Sequence, residues 1–300
     1  MAGNVSPELR RRIIDAALAA ERDLASGLSV TDLADHAGVS DKHFQRCFQS
    51  VVGESPKSYL RRIRLQHSAY LLKWSDLPVT AIAMQAGFKT HAGFTRAFST
   101  VYSLSPQRFR DARSVAPYLS AREQPAGALE VDSLEASRLV VRLQHQPAWR
   151  VAAIRHIGPV ETMAAVWPRM MAWASRRGLM SKDAIFLGIH NDYWDPIAED
   201  RYRYDAAIVV PDDFESDDRV NTFVLPAGDV AMTEFNGSLR EADAVWRRFA
   251  DQWLPVSGFQ LRANLAYDRY PASLMSGGLI GGIIKTLRGI RATFCMPVKK

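Results

Sequence analysis

Two hydrophobic rhythms divide this chain. Over the first third, apolar residues recur three and four apart, the spacing of one helix face. Leu33, Ala34 and Ala37 form a short inward stripe, Gly38 follows, and Phe44 and Phe48 stand four apart beyond it. That spacing predicts a short helix, a tight turn in which glycine takes a positive φ at little cost, and a second helix pinned by its phenylalanines. Ser40 is placed to cap the second helix. The pattern then returns. Val30-Thr31-Asp32-Leu33-Ala34 aligns with Val79-Thr80-Ala81-Ile82-Ala83 at an offset of 49, and Phe44-Gln45-Arg46-Cys47-Phe48 with Phe94-Thr95-Arg96-Ala97-Phe98 at 50. Ser55-Pro56 and Ser105-Pro106 keep that second offset. The second copy has Ile82, Ala83 and Ala86 as its stripe, Gly87 as its turn and Thr90 as its cap. Between the copies, Pro56 to Trp74 reads as one long helix with Tyr59, Leu60, Ile63, Ala69, Tyr70 and Leu71 inward and Arg61, Arg62 and Arg64 charged around it.

From Val140 the period changes toward strand alternation. Val151 to Pro159 aligns with Val230 to Ser238 at an offset of 79, and the offset carries Ala165-Val166-Trp167 onto Ala244-Val245-Trp246. Each copy predicts a strand, a glycine turn and a helix bearing a tryptophan. Strands Ala184 to His190 and Tyr204 to Val210 follow the first helix, and Gln260 to Tyr270 and Ala292 to Val298 the second. The expected fold is therefore two domains: an all-α double helix-turn-helix, then an α+β domain duplicating a strand–helix–strand–strand unit. The boundaries are 1–115 (helix-turn-helix units at about 28–50 and 77–100), a tether over 116–137 where Pro117, Pro125, Gly127 and acidic residues collect, and 138–300.

Charge sharpens the division. Residues 1–115 hold 16 Lys+Arg against 10 Asp+Glu, whereas 116–300 hold 22 of each, so the whole net charge of +6 belongs to the first third. That asymmetry suits a nucleic-acid-binding module beside a neutral one. No run reaches the roughly 18 to 20 apolar residues that span a bilayer, and no signal-peptide core opens the chain, so a cytoplasmic location and no membrane partner are expected. Cys47 and Cys295 each sit in an apolar pattern without a ligand-spaced partner, which predicts buried thiols and no metal site. Nor does a nucleophile elbow or zinc motif appear, so neither catalytic residues nor cofactors are expected.

In a helix-turn-helix the second helix enters the major groove. Its outward positions here are Lys42, Gln45 and Arg46 in the first copy and His91, Ala92, Thr95 and Arg96 in the second. Arg and Gln at such positions can bond guanine and adenine edges. The stretch from about Ile13 to Arg113 resembles the AraC/XylS family of transcription activators through Leu33 to Gly38, Phe44…Phe48, Gly53-Glu54-Ser55-Pro56, Tyr59-Leu60-Arg61, Ile82-Ala83…Gly87-Phe88 and Phe94…Phe98…Ser105-Pro106…Phe109-Arg110. The resemblance implies double-stranded DNA as partner, read by Lys42, Gln45, Arg46, His91, Thr95 and Arg96, with RNA polymerase a further candidate. Ser103 departs from the pattern, standing where glycine is usual.

Residues 138–300 resemble the GyrI-like, effector-binding domain through His156-Ile157-Gly158-Pro159, Gly188 to Asp192, Arg203-Tyr204-Asp205, Gly228 to Ala231, Trp253-Leu254-Pro255 and Tyr267 to Tyr270. The combination resembles a Rob-like subgroup of regulators. It implies a small-molecule effector, flat, hydrophobic and often cationic, as in multidrug sensing. The residues implied to hold it are Asp268, Tyr270, Trp167, Trp246, Trp173 and Trp194. Asp268 stands where the family usually has glutamate, one methylene longer. The glycine-rich stretch Ser276 to Gly282 also departs from the usual short acidic loop. His156 reads as a structural hydrogen-bonding histidine. Two other readings stay open for this half: a small-molecule hydrolase using Asp268 and Tyr270 for acid–base work, and a protein-docking module.

Overall fold

The computed structural model describes residues 5–24, 27–111, 139–192, 201–262, 265–273 and 290–300. The expected tether 116–137, Tyr193, Trp194 and the stretch 276–282 lie outside the described residues. The chain divides into two compact units, residues 1–113 with 215–221, and residues 114–214 with 222–300.

The first unit is helical: α1 (Pro7–Arg22), α2 (Val30–His36), α3 (Asp41–Val52), α4 (Pro56–Trp74), α5 (Val79–Gln85), α6 (His91–Tyr102) and α7 (Pro106–Asp111). The repeat read from the sequence is present as α2–α3 and α5–α6. Gly38 and Gly87 make equivalent turns at φ 64° and 75°, each followed by a matching backbone bond, Val39 N–H to Ala34 and Phe88 N–H to Ala83, both 3.1 Å. Serine and threonine open the helices. Ser29 and Asp32 form a reciprocal capping box on α2, and Thr90 accepts from Gly93 N–H at 3.1 Å. Ser40 occupies the cap position of α3 but its side chain makes no capping bond. Ser103 takes the same left-handed conformation as Gly53 (φ 56° against 84°), so the departure from glycine leaves the turn intact. An aromatic chain forms each half of the core: Phe44, Phe48 and Tyr59 at successive centroid distances of 5.3 and 5.2 Å, and Phe94, Phe98 and Phe109 at 5.6 and 5.2 Å.

Two arginines expected merely to surround α4 turn inward. Arg62 donates to Glu54 at 2.9 and 2.7 Å, and Arg64 donates to the Leu28 carbonyl at 2.8 Å. Arg110 closes the far end, bonding the carbonyls of Leu72 and Leu77 at 3.3 and 2.5 Å.

The second unit contains β1 (Val141–Gln146), β2 (Trp149–Gly158), a 3-10 turn (Val160–Val166), α8 (Trp167–Arg176), β3 (Phe186–His190), β4 (Tyr202–Val209), β5 (Asn221–Leu225), β6 (Gly228–Gly237), α9 (Leu239–Arg247), β7 (Gln260–Leu261), β8 (Ala266–Tyr270) and β9 (Ile290–Lys299). The sheet order is β1-β6-β9-β8-β3-β4-β2-β5, with β7 on β9. The expected strand Gln260 to Tyr270 is thus two strands on different stretches of sheet. The duplication extends further than the alignment indicated: β1 and β5 precede β2 and β6 at the same offset, and each pairs with a strand of the other copy. At the centre, β3 and β8 run antiparallel with Gly188 opposite Asp268.

The other face of the central strands holds buried ions. Arg155 grips Asp205 with bonds of 2.7 and 2.6 Å, Asn191 adds a third at 2.9 Å, and Arg203 grips Asp192. Satisfied from both sides, these charges tie the end of β3 to β2 and β4, where an unpaired ion would be costly.

Candidate DNA-reading surface and buried effector site

In the first unit, burying Phe44 and Phe48 leaves the rest of α3 to solvent. Lys42, Gln45 and Arg46, three and four apart, share one exposed face. In α6, His91, Ala92 and Arg96 are likewise exposed. Thr95 differs from expectation. It is half-buried, and its shielded hydroxyl meets no hydrogen-bond partner. Both Gln45 and Thr95 follow a buried phenylalanine at the margin of the apolar face, and only the longer glutamine reaches clear of it. Behind the turns, guanidinium groups approach the glycines: Arg12 lies 3.1 Å from where a Gly38 Cβ would stand, and Arg64 lies 3.3 Å from that of Gly87.

In the second unit, the structure brings Asp268, Tyr270, Trp167 and Trp246 together around the β3–β8 pair. The Asp268 carboxylate, 6% exposed, receives the Trp246 indole N–H at 3.1 Å and the Tyr270 hydroxyl at 3.0 Å. His190 Nε2 lies 2.9 Å from the same carboxylate. The other ring nitrogen, Nδ1, lies 2.7 Å from the Tyr202 hydroxyl. On the other copy's side, Trp167 donates to the Tyr204 hydroxyl at 3.1 Å and meets the Tyr270 ring edge-on at 5.3 Å. Trp246 stacks on Phe294 at 4.9 Å. Burial, and then the charge of Asp268, push the Tyr270 and Tyr204 hydroxyls up from their ordinary range, so both stay protonated and can donate. The result is one carboxylate at the base of an aromatic cluster, held by neutral donors and a histidine.

His190, Tyr202 and Tyr204 are absent from the sequence-derived set. Strand alternation carried the signal, because Gly188 and His190, two apart, project from one face. Trp173 belongs elsewhere: it is buried against Phe214 at 5.8 Å, on the far part of α8. The His156 ring lies 3.2 Å from the Pro159 carbonyl across the glycine turn, as a structural histidine would. Both cysteines are buried and free. Among the described residues no group of metal-ligating side chains occurs, and no helix is long and apolar enough to cross a membrane.

Known families match both units. Residues 33–112 match a helix-turn-helix domain, and residues 140–273 match the GyrI-like small molecule binding domain. The helical part is 33% identical over 90 residues to the HTH-type transcriptional activator AarP of Providencia stuartii, covering 30% of this chain and 67% of that protein. It is 38% identical over 90 residues to the transcriptional regulator Rob of Salmonella typhimurium, covering 30% and 31%. A stretch of 140 residues is 30% identical to the DNA gyrase inhibitor of Serratia proteamaculans, covering 44% of this chain and 86% of that protein. The chain belongs to the AraC-type helix-turn-helix family and carries a GyrI-like domain. Its match spans 29%, 31% and 27% of the length of three curated relatives, Rob among them.

Proposed function

We propose that this protein is a one-component transcriptional regulator: its first unit reads double-stranded DNA, and a flat hydrophobic molecule bound at Asp268 tunes that reading. The observation that carries the DNA-binding role is the doubled helix-turn-helix, with Lys42, Gln45 and Arg46 exposed on α3 and His91 and Arg96 on α6. The aromatic cluster supports the sensing role. Trp167, Trp246 and Tyr270 offer ring faces and edges, and Asp268 offers a carboxylate shielded from water. There, stacking and cation–π attraction act at about 0.5 to 2 kcal/mol. Because the carboxylate already meets His190, Trp246 and Tyr270, a ligand reaching it must compete with them for its lone pairs. That requirement selects for a cation or a strong donor. RNA polymerase is the proposed partner at the promoter.

The test is fluorescence anisotropy of the protein on its own promoter and on random DNA at matched salt, with and without planar cationic and neutral compounds. Preference for the promoter that shifts with a compound supports both halves. Absence of preference over random DNA overturns the regulator, and a preference that no compound moves removes the sensing role.

The contact of His190 with Asp268, beside the Tyr202 and Tyr270 hydroxyls, favours a second reading, acid–base catalysis on a bound small molecule. Turnover of a bound compound, lost in Asp268→Ala, would support it; recovery of that compound unchanged would exclude it.

A further inference from the structure

The sheet has a second face, pointing away from Asp268. Asp268, Phe294 and Thr233 stand opposite one another on β8, β9 and β6. Their sequence neighbours Arg269, Thr293 and Glu234 are also mutually opposite and so project from the other face. Register places Arg142 (opposite Met232) and Arg291 (opposite Asn236) on that same face. These residues are among those lining a groove of about 1090 Å³, whose lining also takes in Leu143 and, from α9 and the turn after it, Glu241, Val245 and Arg248 on the Asp268 side, and which has room for a drug-sized molecule. Its edge is apolar, with Val140 62% and Leu143 51% exposed.

The charges in the groove do not balance. Among the described residues, no carboxylate lies within ion-pair distance of Arg142, Arg269 or Arg291. Two glutamates share the groove, but Glu241 is spent on capping α9, accepting from the Ser238 N–H and hydroxyl at 2.6 and 2.8 Å. Only Glu234 remains, accepting from the Thr293 hydroxyl at 3.3 Å. Three guanidinium groups therefore face one available carboxylate, while Arg248, the fourth arginine of the lining, is engaged elsewhere. Arg269 pairs with Thr293, two residues along β9 from Arg291, so the two residues are diagonal cross-strand neighbours on one face. Arg269 is also held in place, its guanidinium 5.8 Å from the Trp149 ring centre.

We propose that this groove is a second effector site, for a small organic anion with an apolar body, an aryl carboxylate or sulfonate. Arg269 and Arg291 take the acid group, whose charge offsets theirs and whose oxygens match the planar fork of guanidinium. The apolar body lies against Met232 and Val140.

The test uses the full chain and two fluorescent probes of like shape, anionic 8-anilinonaphthalene-1-sulfonate and neutral N-phenyl-1-naphthylamine. Saturable binding of one sulfonate per chain is expected, weakened about tenfold in Arg269→Gln/Arg291→Gln, the size of a lost charge-assisted hydrogen bond. The neutral probe should be unaffected. Arg291→Gln alone, at an exposed position, should show part of the loss should the double variant fold poorly. Asp268→Asn should leave sulfonate binding intact, separating this site from the buried cluster. Unchanged sulfonate affinity in both arginine variants, an equal loss of the neutral probe, or loss in Asp268→Asn would each overturn the proposal.

Discussion

Gly188 lies directly beneath the hydroxyl of Tyr204, in space that a Cβ on that strand would have to occupy. The absent side chain lets the phenol reach over the central strand and accept the Trp167 indole. Gly188→Ala should therefore displace Tyr204, break that bond and destabilise the second unit by about 1–3 kcal/mol. Thermal unfolding and tryptophan fluorescence measure it. An unchanged Tm would mean that the phenol moves aside freely.

Ser103 tests the opposite case, a side chain where glycine fits better. Its left-handed backbone is strained for a residue with a Cβ, and nothing in the turn requires the hydroxyl. Ser103→Gly should stabilise the helical unit by about 0.5–1 kcal/mol. Denaturant unfolding reads the gain, and a loss would show that the hydroxyl contributes in solution.

Arginines on the helical unit should separate into readers and supports. Arg46→Ala and Arg96→Ala are each expected to weaken promoter binding by roughly 1–3 kcal/mol relative to random DNA, with folding intact. Arg62→Ala should instead lower stability, since it removes two hydrogen bonds from the buried carboxylate of Glu54. Anisotropy paired with thermal melts distinguishes them; equal losses on random DNA would make Arg46 and Arg96 phosphate contacts.

Trp246→Phe removes one donor from a buried carboxylate and should cost about 1–3 kcal/mol. In an Asp268→Asn background the cost should shrink, because the uncharged amide demands less of its surroundings. A double-mutant cycle measures the coupling. Additive effects would argue that the indole acts only through packing.

The capping box of α2 carries a pH signature. Hydrogen bonds from the Ser29 backbone and hydroxyl hold the Asp32 carboxyl below its ordinary 3.8. A lowered native value contributes stability above the unfolded value, lost as pH falls through the native one. Asp32→Asn should thus be less stable than the parent at pH 7 and indistinguishable near pH 2, in paired melts.

The helical unit was legible because its signals are local. Phe44 with Phe48, Gly38 and the cap at Thr90 each act within one or two turns of chain, and the repeat displayed them twice. What could not be read was which charged residue meets a distant acceptor: Arg64 bonds a carbonyl 36 residues away. The same limit governs the buried cluster. Asp268, Tyr270, Trp167 and Trp246 came from resemblance and symmetry. His190 joins them only through pairing of β3 with β8, 78 residues apart, and Trp173 was misplaced because an aromatic at a helical position does not say which side it buries. The groove of Arg142, Arg269 and Arg291 left no sequence signal, being assembled from three strands.

The exchange of β1 and β5 between the two copies says something about origin. Each copy supplies the strand that ends the other copy's side of the sheet, so either half taken alone would lose its outermost pairing. A single ancestral copy would have closed its sheet by lending that strand to an identical neighbour. The fused chain thus has the strand pairing that two identical halves would make by exchanging their first strands. The two halves differ where β3 meets β8, since Gly188 of one faces Asp268 of the other.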